Sequence, residues 1–177
     1  EDMRDAFSGS VTAVVSDDSL ESTVPLSRPM AKFNFISDDL QDFIARAQRA
    51  KGASDLGGYT LVFKYNGFMP SAYNLHAGST TDSGSGYSFE SKIVQISESE
   101  ALLGFDYVFV NDHETVVSVY LELYDDSGKL LTVSRPVDVP LMRSKLTTVK
   151  GNFLTSTASG GVFVSPGYDG EHNIVIE

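Results

Sequence analysis

"TVVSVYLELYDDSGKLLTVS", residues 115–134, alternates by face over its first ten positions, with Val117, Val119, Leu121 and Leu123 against Ser118, Tyr120, Glu122 and Tyr124. A period of two is the pattern of a half-buried β-strand, because successive side chains point to opposite faces of a sheet. "DDSGK" at 125–129 then predicts a hairpin turn, with Gly128 supplying the positive φ that a bulged turn needs, and "LLTVS" predicts the returning strand. A chain organised around such a hairpin is read as antiparallel and β-rich.

The same pattern extends outward. In "RPMAKFNFI", residues 28–36, Ala31, Phe33 and Phe35 share one face and Lys32 and Asn34 the other, with Pro29 opening the strand. In "YTLVFKY", residues 59–65, Leu61, Phe63 and Tyr65 alternate with Val62 and Lys64. "LLGFDYVFV", residues 102–110, predicts a core face of Leu103, Phe105, Tyr107 and Phe109, with Asp106 outward. "FESKIVQI", residues 89–96, and "GSVTAVVS", residues 9–16, are further predicted strands, and "GGVFVSPGYDGEHNIVIE" predicts two short ones. One helix is expected over 38–51, N-capped by Ser37, with Leu40, Phe43, Ile44 and Ala47 on one stripe and Gly52 ending it. Asp38, Asp39 and Asp42 near its start and Arg46, Arg49 and Lys51 near its end complement the helix dipole. Residues 66–88 carry turn-forming Gly, Ser, Asn and Pro and read as a long loop. It is expected to pack through Phe68, Met69 and Tyr73 and to be flexible at "TTDSGSG".

At 177 residues the chain fits a single domain, spanning 1–177, with 1–27 as a lead-in strand and linker. Its formal net charge of −11 argues against binding a phosphate backbone, so no nucleic-acid partner is expected. The absence of cysteine excludes disulfides, thiolate nucleophiles and Cys-based zinc sites. His76, His113 and His172 are far apart and lack metal-ligand spacing, and the acidic turns at Asp17/Asp18, 111–114 and Asp125/Asp126 lack the calcium-loop pattern. With no nucleophile elbow either, neither catalytic residues, cofactor nor metal is expected. Tyr65, Tyr73, Tyr87, Tyr120 and Tyr124 are candidates for stacking on a sugar ring, while Arg143 and Lys145 read as exposed charges at a strand edge.

In "VDVPLMRSKLTTVKGNFLT", residues 137–155, Val137 and Val139 alternate, Pro140 ends backbone donation, and Gly151 suggests a bulge or close approach. This stretch, together with "RPMAKFNF" (28–35), "KYNGFMPSAYNL" (64–75), "ALLGFDYVFV" (101–110) and "GYDGEHNIVIE" (167–177), resembles the fimbrillin-like surface proteins of Bacteroides-type bacteria, in a subgroup without assigned activity. The resemblance implies an antiparallel, transthyretin-like Greek-key β-sandwich with one amphipathic helix, forming the C-terminal part of a longer precursor. It further implies a non-catalytic fimbrial or fimbria-associated subunit on the outer membrane's extracellular face, acting in assembly or adhesion and joined to other pilus subunits or surface proteins by β-strand pairing. Membrane contact would come only through an N-terminal lipid anchor outside this chain. The alternative expectation is a module that binds host or bacterial glycans. Contacts to a partner or ligand are expected at Tyr73, Tyr87, Arg143 and Lys145.

Overall fold

Two sheets face each other across a core drawn in large part from the residues that alternate in the sequence, joined by Leu40 and Phe43 of the helical stripe and by Phe153 and Leu154. The computed structural model describes residues 6–14, 19–51, 56–155 and 160–165. Twelve strands are present among them: β1 (Met30–Ser37), β2 (Thr60–Tyr65), β3 (Phe68–Asn74), β4 (Ser79–Ser85), β5 (Ser88–Ser91), β6 (Val94–Gln95), β7 (Ala101–Phe109), β8 (Thr115–Tyr124), β9 (Leu130–Val133), β10 (Val137–Leu141), β11 (Leu146–Gly151) and β12 (Gly160–Ser165). One sheet runs β12-β11-β1-β7-β6, the other β10-β8-β2-β5 with β9 also on β8, and β3-β4 stands apart as a two-stranded ribbon. The fold is an all-β sandwich with one helix, α1 (Leu40–Lys51), as the sequence predicts. Most pairings are antiparallel, but β1 and β11 run parallel from Lys32↔Leu146 to Ser37↔Gly151.

The central strands follow their patterns. Ala31, Phe33 and Phe35 of β1 are buried, as are Leu61, Phe63 and Tyr65 of β2 and Val117, Val119, Leu121 and Leu123 of β8. Rings from both sheets interlock. Phe35 meets Phe63 and Phe153 edge-on, each at 5.4 Å, and Phe63 stacks on Phe89 at 4.6 Å. Such contacts add about 0.5–1.5 kcal/mol per pair beyond burial. The β8-β9 hairpin closes as expected, with Gly128 at φ 78° and Asp125 accepting from the Ser127 and Lys129 amides. Asp125 is buried in that role.

Strand β7 departs from its predicted faces. Phe35 pairs with Gly104 but Ile36 pairs with Leu102, so Leu103 is an extra residue in the ladder. A one-residue bulge sends every later side chain to the opposite face. Leu103 and Gly104 both point inward, Val108 and Val110 are buried, and Phe105, Tyr107 and Phe109 are only half-buried. Asp106 accepts a 2.9 Å hydrogen bond from the Tyr65 hydroxyl of the opposing sheet. A methyl group on Gly104 would lie 2.7 Å from a ring carbon of Phe63, so the bulge and the ring share one space.

Other expectations need correction. Residues 66–88 are mainly the β3-β4 ribbon, turning at 75–78 rather than at "TTDSGSG", and Phe68 is 77% exposed rather than packed. "FESKIVQI" splits into β5 and β6, which belong to different sheets, with Ile93 buried between them. Residues 9–14 form no ladder: Ser8 and Ser27 make an isolated antiparallel bridge instead. The expected Gly52 helix stop, the second C-terminal strand and His172 lie outside the described residues.

Ser37 ends β1 instead of capping α1. The Asp39 carbonyl accepts from the Phe43 amide, which places Asp39 at the cap. Its buried carboxylate binds the 153–155 segment, accepting from the Thr155 amide at 2.8 Å and the Thr155 hydroxyl at 2.6 Å, while Ser37 Oγ donates to it at 2.5 Å. Ser37 Oγ in turn accepts from the Phe153 amide at 3.0 Å. The helix start is thus tied to the chain beyond β11, and the stripe of Leu40 and Phe43 lies on the core as predicted.

Two substitutions test this frame by urea denaturation. Gly104→Ala is expected to lose about 1–3 kcal/mol, the usual range for overpacking, with partial recovery when Phe63→Leu is added. Asp39→Ala leaves the Ser37 and Thr155 donors without their carboxylate and is expected to lose about 1–3 kcal/mol. Simple additivity of Gly104→Ala and Phe63→Leu would count against the shared space.

Candidate functional site

The turn between β10 and β11 carries the chain from one sheet to the other, and it places Arg143 against the β3-β4 ribbon. Ser144 takes a left-handed conformation, φ 60°, and the Lys145 amide donates to the Met142 carbonyl at 3.0 Å. From this turn Arg143 Nη2 donates to the Tyr73 hydroxyl and the Gly78 carbonyl, both at 2.8 Å, with the Val110 carbonyl at 3.4 Å. Nη1 pairs with Asp112 at 2.9 Å. Arg143 is therefore a clamp with a half-buried guanidinium, which corrects the expectation of an exposed edge charge. Its Nε is buried with no acceptor among the described residues.

Tyr73 supplies the other half of the clamp. Its ring stacks on Phe109 at 5.7 Å, and the Arg143 guanidinium carbon lies 5.6 Å from the ring centre. Asn111, on the same loop as Asp112, accepts from the Thr80 amide at 2.9 Å and from its hydroxyl at 3.0 Å. Sequence reading singled out Tyr73 and Arg143 but not their pairing, and it missed Asn111 and Phe109. Only the outward turn of β7 brings Phe109 to this side.

Tyr87 and Lys145 do not join them. Tyr87 is 44% exposed and lines a separate cleft of about 220 Å³ with Met69, Pro70, Ser71, Tyr107 and Phe109. Lys145 is half-buried, and its backbone carbonyl accepts from the Lys32 amide at 3.0 Å, extending the β1-β11 pairing. Of the other tyrosines considered for stacking on sugars, Tyr65 is buried on Asp106 and Tyr124 donates to Glu122 at 2.5 Å. His76 and His113 occupy separate exposed turns, and among the described residues no group of three His, Cys, Asp or Glu is placed to hold a metal ion. No helix among the described residues is long and apolar enough to cross a membrane.

Sequence comparison matches residues 1–177 in full to a family of unknown function, DUF6562. The chain belongs to that family. Among curated proteins none matches this DUF6562 chain. Among solved structures it is similar to a "putative cell adhesion protein" from Bacteroides ovatus, with a TM-score of 0.47 and 13% identity over 88% of this chain and 49% of the other. Another so described, from Bacteroides uniformis, gives 0.43 and 11% identity over 81% and 53% of the two chains. A third, from Bacteroides eggerthii, gives 0.34 and 14% identity over 80% and 57%. The DUF6562 chain thus spans about half the length of the solved structures it matches.

On the outer face of the second sheet, Lys64 Nζ lies 2.8 Å from Glu122, which also accepts from Tyr124. Burial alone would push the Glu122 carboxyl up, but the hydrogen bonds from Lys64 and Tyr124 outweigh it and hold the pKa below the usual carboxylate value. A depressed folded-state pKa stabilises the fold above the unfolded carboxylate's pKa, and that stabilisation is lost as pH falls through the folded value. Glu122→Gln is therefore expected to flatten the acid side of the stability–pH curve by at most about 1 kcal/mol. Denaturant midpoints between neutral pH and pH 3 that fall equally in both proteins would remove Glu122 from that limb.

Proposed function

We propose that this chain is a non-catalytic, fimbrillin-like subunit of a cell-surface fimbrium, acting in assembly or adhesion through β-strand pairing with other surface subunits. The observation that carries the reading is the amino-terminal segment. Residues 6–14 and 19–28 bridge to one another at Ser8 and Ser27, through hydrogen bonds of 2.8 and 2.9 Å, and Arg28 lies over the Phe7 ring at 4.6 Å. Within this segment Phe7, Val11, Val14, Leu20, Val24 and Leu26 are exposed, Val14 by 88% and Leu26 by 65%.

Apolar side chains held in water mark a surface that gains by covering. Leu20, Val24 and Leu26 have the same parity, so in an extended strand they point to one side. A segment added to a partner's sheet would satisfy its backbone through the ladder and seat those side chains in a groove. The ordered match of segments to fimbrillin-like proteins supports the same reading.

The glycan alternative is narrowed by the geometry around the tyrosines. Tyr73 has its ring against Phe109 and its hydroxyl on Arg143, whereas Tyr87, beside Tyr107, keeps an exposed aromatic face.

Immunogold electron microscopy on intact source cells tests the assignment. Wild-type label is expected along filaments or at their tips, and Val24→Asp/Leu26→Asp is expected to leave surface label but to lose it from filaments. Signal that emerges only after lysis would overturn the surface reading. Filament label unaffected by the double substitution would overturn the role given to the amino-terminal segment.

A further inference from the structure

We propose that the β3-β4 ribbon is a hinged flap that swings on Gly67 and Gly86 and is latched shut by Arg143, its opening uncovering the aromatic outer face of β7. The inference stands apart from any fimbrial role.

The hinge lies where the ribbon leaves the second sheet. Strands β2 and β5 pair as far as Lys64↔Ser88, and the Tyr65 amide still donates to the Tyr87 carbonyl at 3.1 Å. Both chains then pass through a glycine of positive φ, 117° at Gly67 and 77° at Gly86, before the ladder resumes at Phe68↔Ser85. Neither glycine has any heavy atom within 4 Å of where a Cβ would stand. A pair of glycines at one level of a two-stranded ribbon, in open space, allows the backbone rotations that a hinge needs.

Beyond the hinge the ribbon's two strands hold each other through their own ladder, and its ties to the body are few, with Met69 packed against the core near the hinge. No residue of β3 or β4 is fully buried. Pro70 cannot donate to the ladder, and the register shifts between Pro70 and Ala72 and again between Ala72 and Tyr73. Apart from Met69, attachment lies towards the far end, around the 75–78 turn. Arg143 binds the Tyr73 hydroxyl and the Gly78 carbonyl there, Asn111 binds Thr80, and Tyr73 stacks on Phe109. A hinge at one end and a latch at the other make a lever, and the small cleft lined by Met69, Tyr87, Tyr107 and Phe109 lies under it.

Few buried apolar contacts and an irregular ladder place such a unit at the low-stability end of a protein, where it opens without global unfolding. Hydrogen–deuterium exchange on the full chain reads this directly. Amides of 68–85 are expected to exchange faster than those of β1 and β8, and Arg143→Ala to speed them by about tenfold or more while β1 and β8 stay unchanged, since hydrogen bonds from a charged group are lost. Asn111→Ala should act on the same amides with a smaller factor.

The chain has no cysteine, so Thr80→Cys/Asn111→Cys offers a clean reversible lock. Oxidation is expected to slow 68–85 towards the rate of the sheets, and reduction to restore it. Three results would overturn the flap: 68–85 exchanging in step with β8 in the wild type, Arg143→Ala raising exchange throughout the sandwich, or the formed disulfide leaving 68–85 unchanged. The disulfide pair decides the matter even if Arg143→Ala does not fold.

Discussion

The approach of Phe63 to Gly104 is the contact on which the arrangement turns. Phe63 sits between the sheets, stacked on Phe89 and edge-on to Phe35, and its ring occupies the space where any side chain at 104 would go. β7 accommodates it by bulging at Leu103, and a bulge changes the face of everything downstream. Asp106 is thereby turned inward to Tyr65, while Tyr107 and Phe109 are turned outward. Without that reversal the β3-β4 ribbon would have no aromatic surface to lie against, and Tyr73 and Arg143 would not meet over Phe109.

The molecule consequently has two regimes of cohesion. Inside the sandwich, interlocked rings and aliphatic side chains are shielded from water, and the polar groups admitted there are matched: Tyr65 with Asp106, and Ser37 and Asp39 with residues 153–155. Outside it, the ribbon is held to the body by Met69, a few polar contacts and the Tyr73 ring, and the amino-terminal segment by the Ser8–Ser27 bridge and the Phe7 ring. Burial contributes roughly 25 cal/mol per Å² of apolar surface, whereas an exposed ion pair such as Arg143 with Asp112 contributes at most about 1 kcal/mol. In the proposed hinge motion, rearrangement is confined to the ribbon, and the sandwich is the rigid body that carries it.

How much of this was legible follows from what each residue's neighbours contribute. β1, β2 and the β8-β9 hairpin were readable because their period-two pattern and turn chemistry are local properties. The faces of β7 were not, because "LLGFDYVFV" alternates equally well with or without a bulge, and the ring that demands the bulge is some forty residues earlier. The ribbon was hidden by its composition: Pro70, Gly84 and a run of Ser and Thr signal a loop, and only pairing to its own other half makes it strand. Ser37 has the chemistry of a helix cap, yet the parallel pairing with β11 extends the strand through it. Tyr73 and Arg143 were picked out by residue type, but their partnership is a product of the chain crossing between sheets at 142–145, which no local spacing encodes.

Where the described edges of the sandwich end bears on how strand pairing could work. β6 is two residues long, β5 and β9 are four each, and β10 carries Pro140, so these edges offer short or interrupted templates. β12, with six residues paired to β11 on one side, is the longer outer strand among those described. Exposed apolar side chains lie both on the amino-terminal segment, at Val14, Leu20, Val24 and Leu26, and on the sheet periphery, at Val94, Ile96, Leu130 and Leu131. A molecule that carries an apolar segment in one place and a sheet edge in another can exchange segments reciprocally about a twofold axis or pass them on head to tail. The proposed role in a filament requires the head-to-tail arrangement, because a heterologous contact that does not close into a ring propagates, whereas reciprocal exchange stops at a dimer.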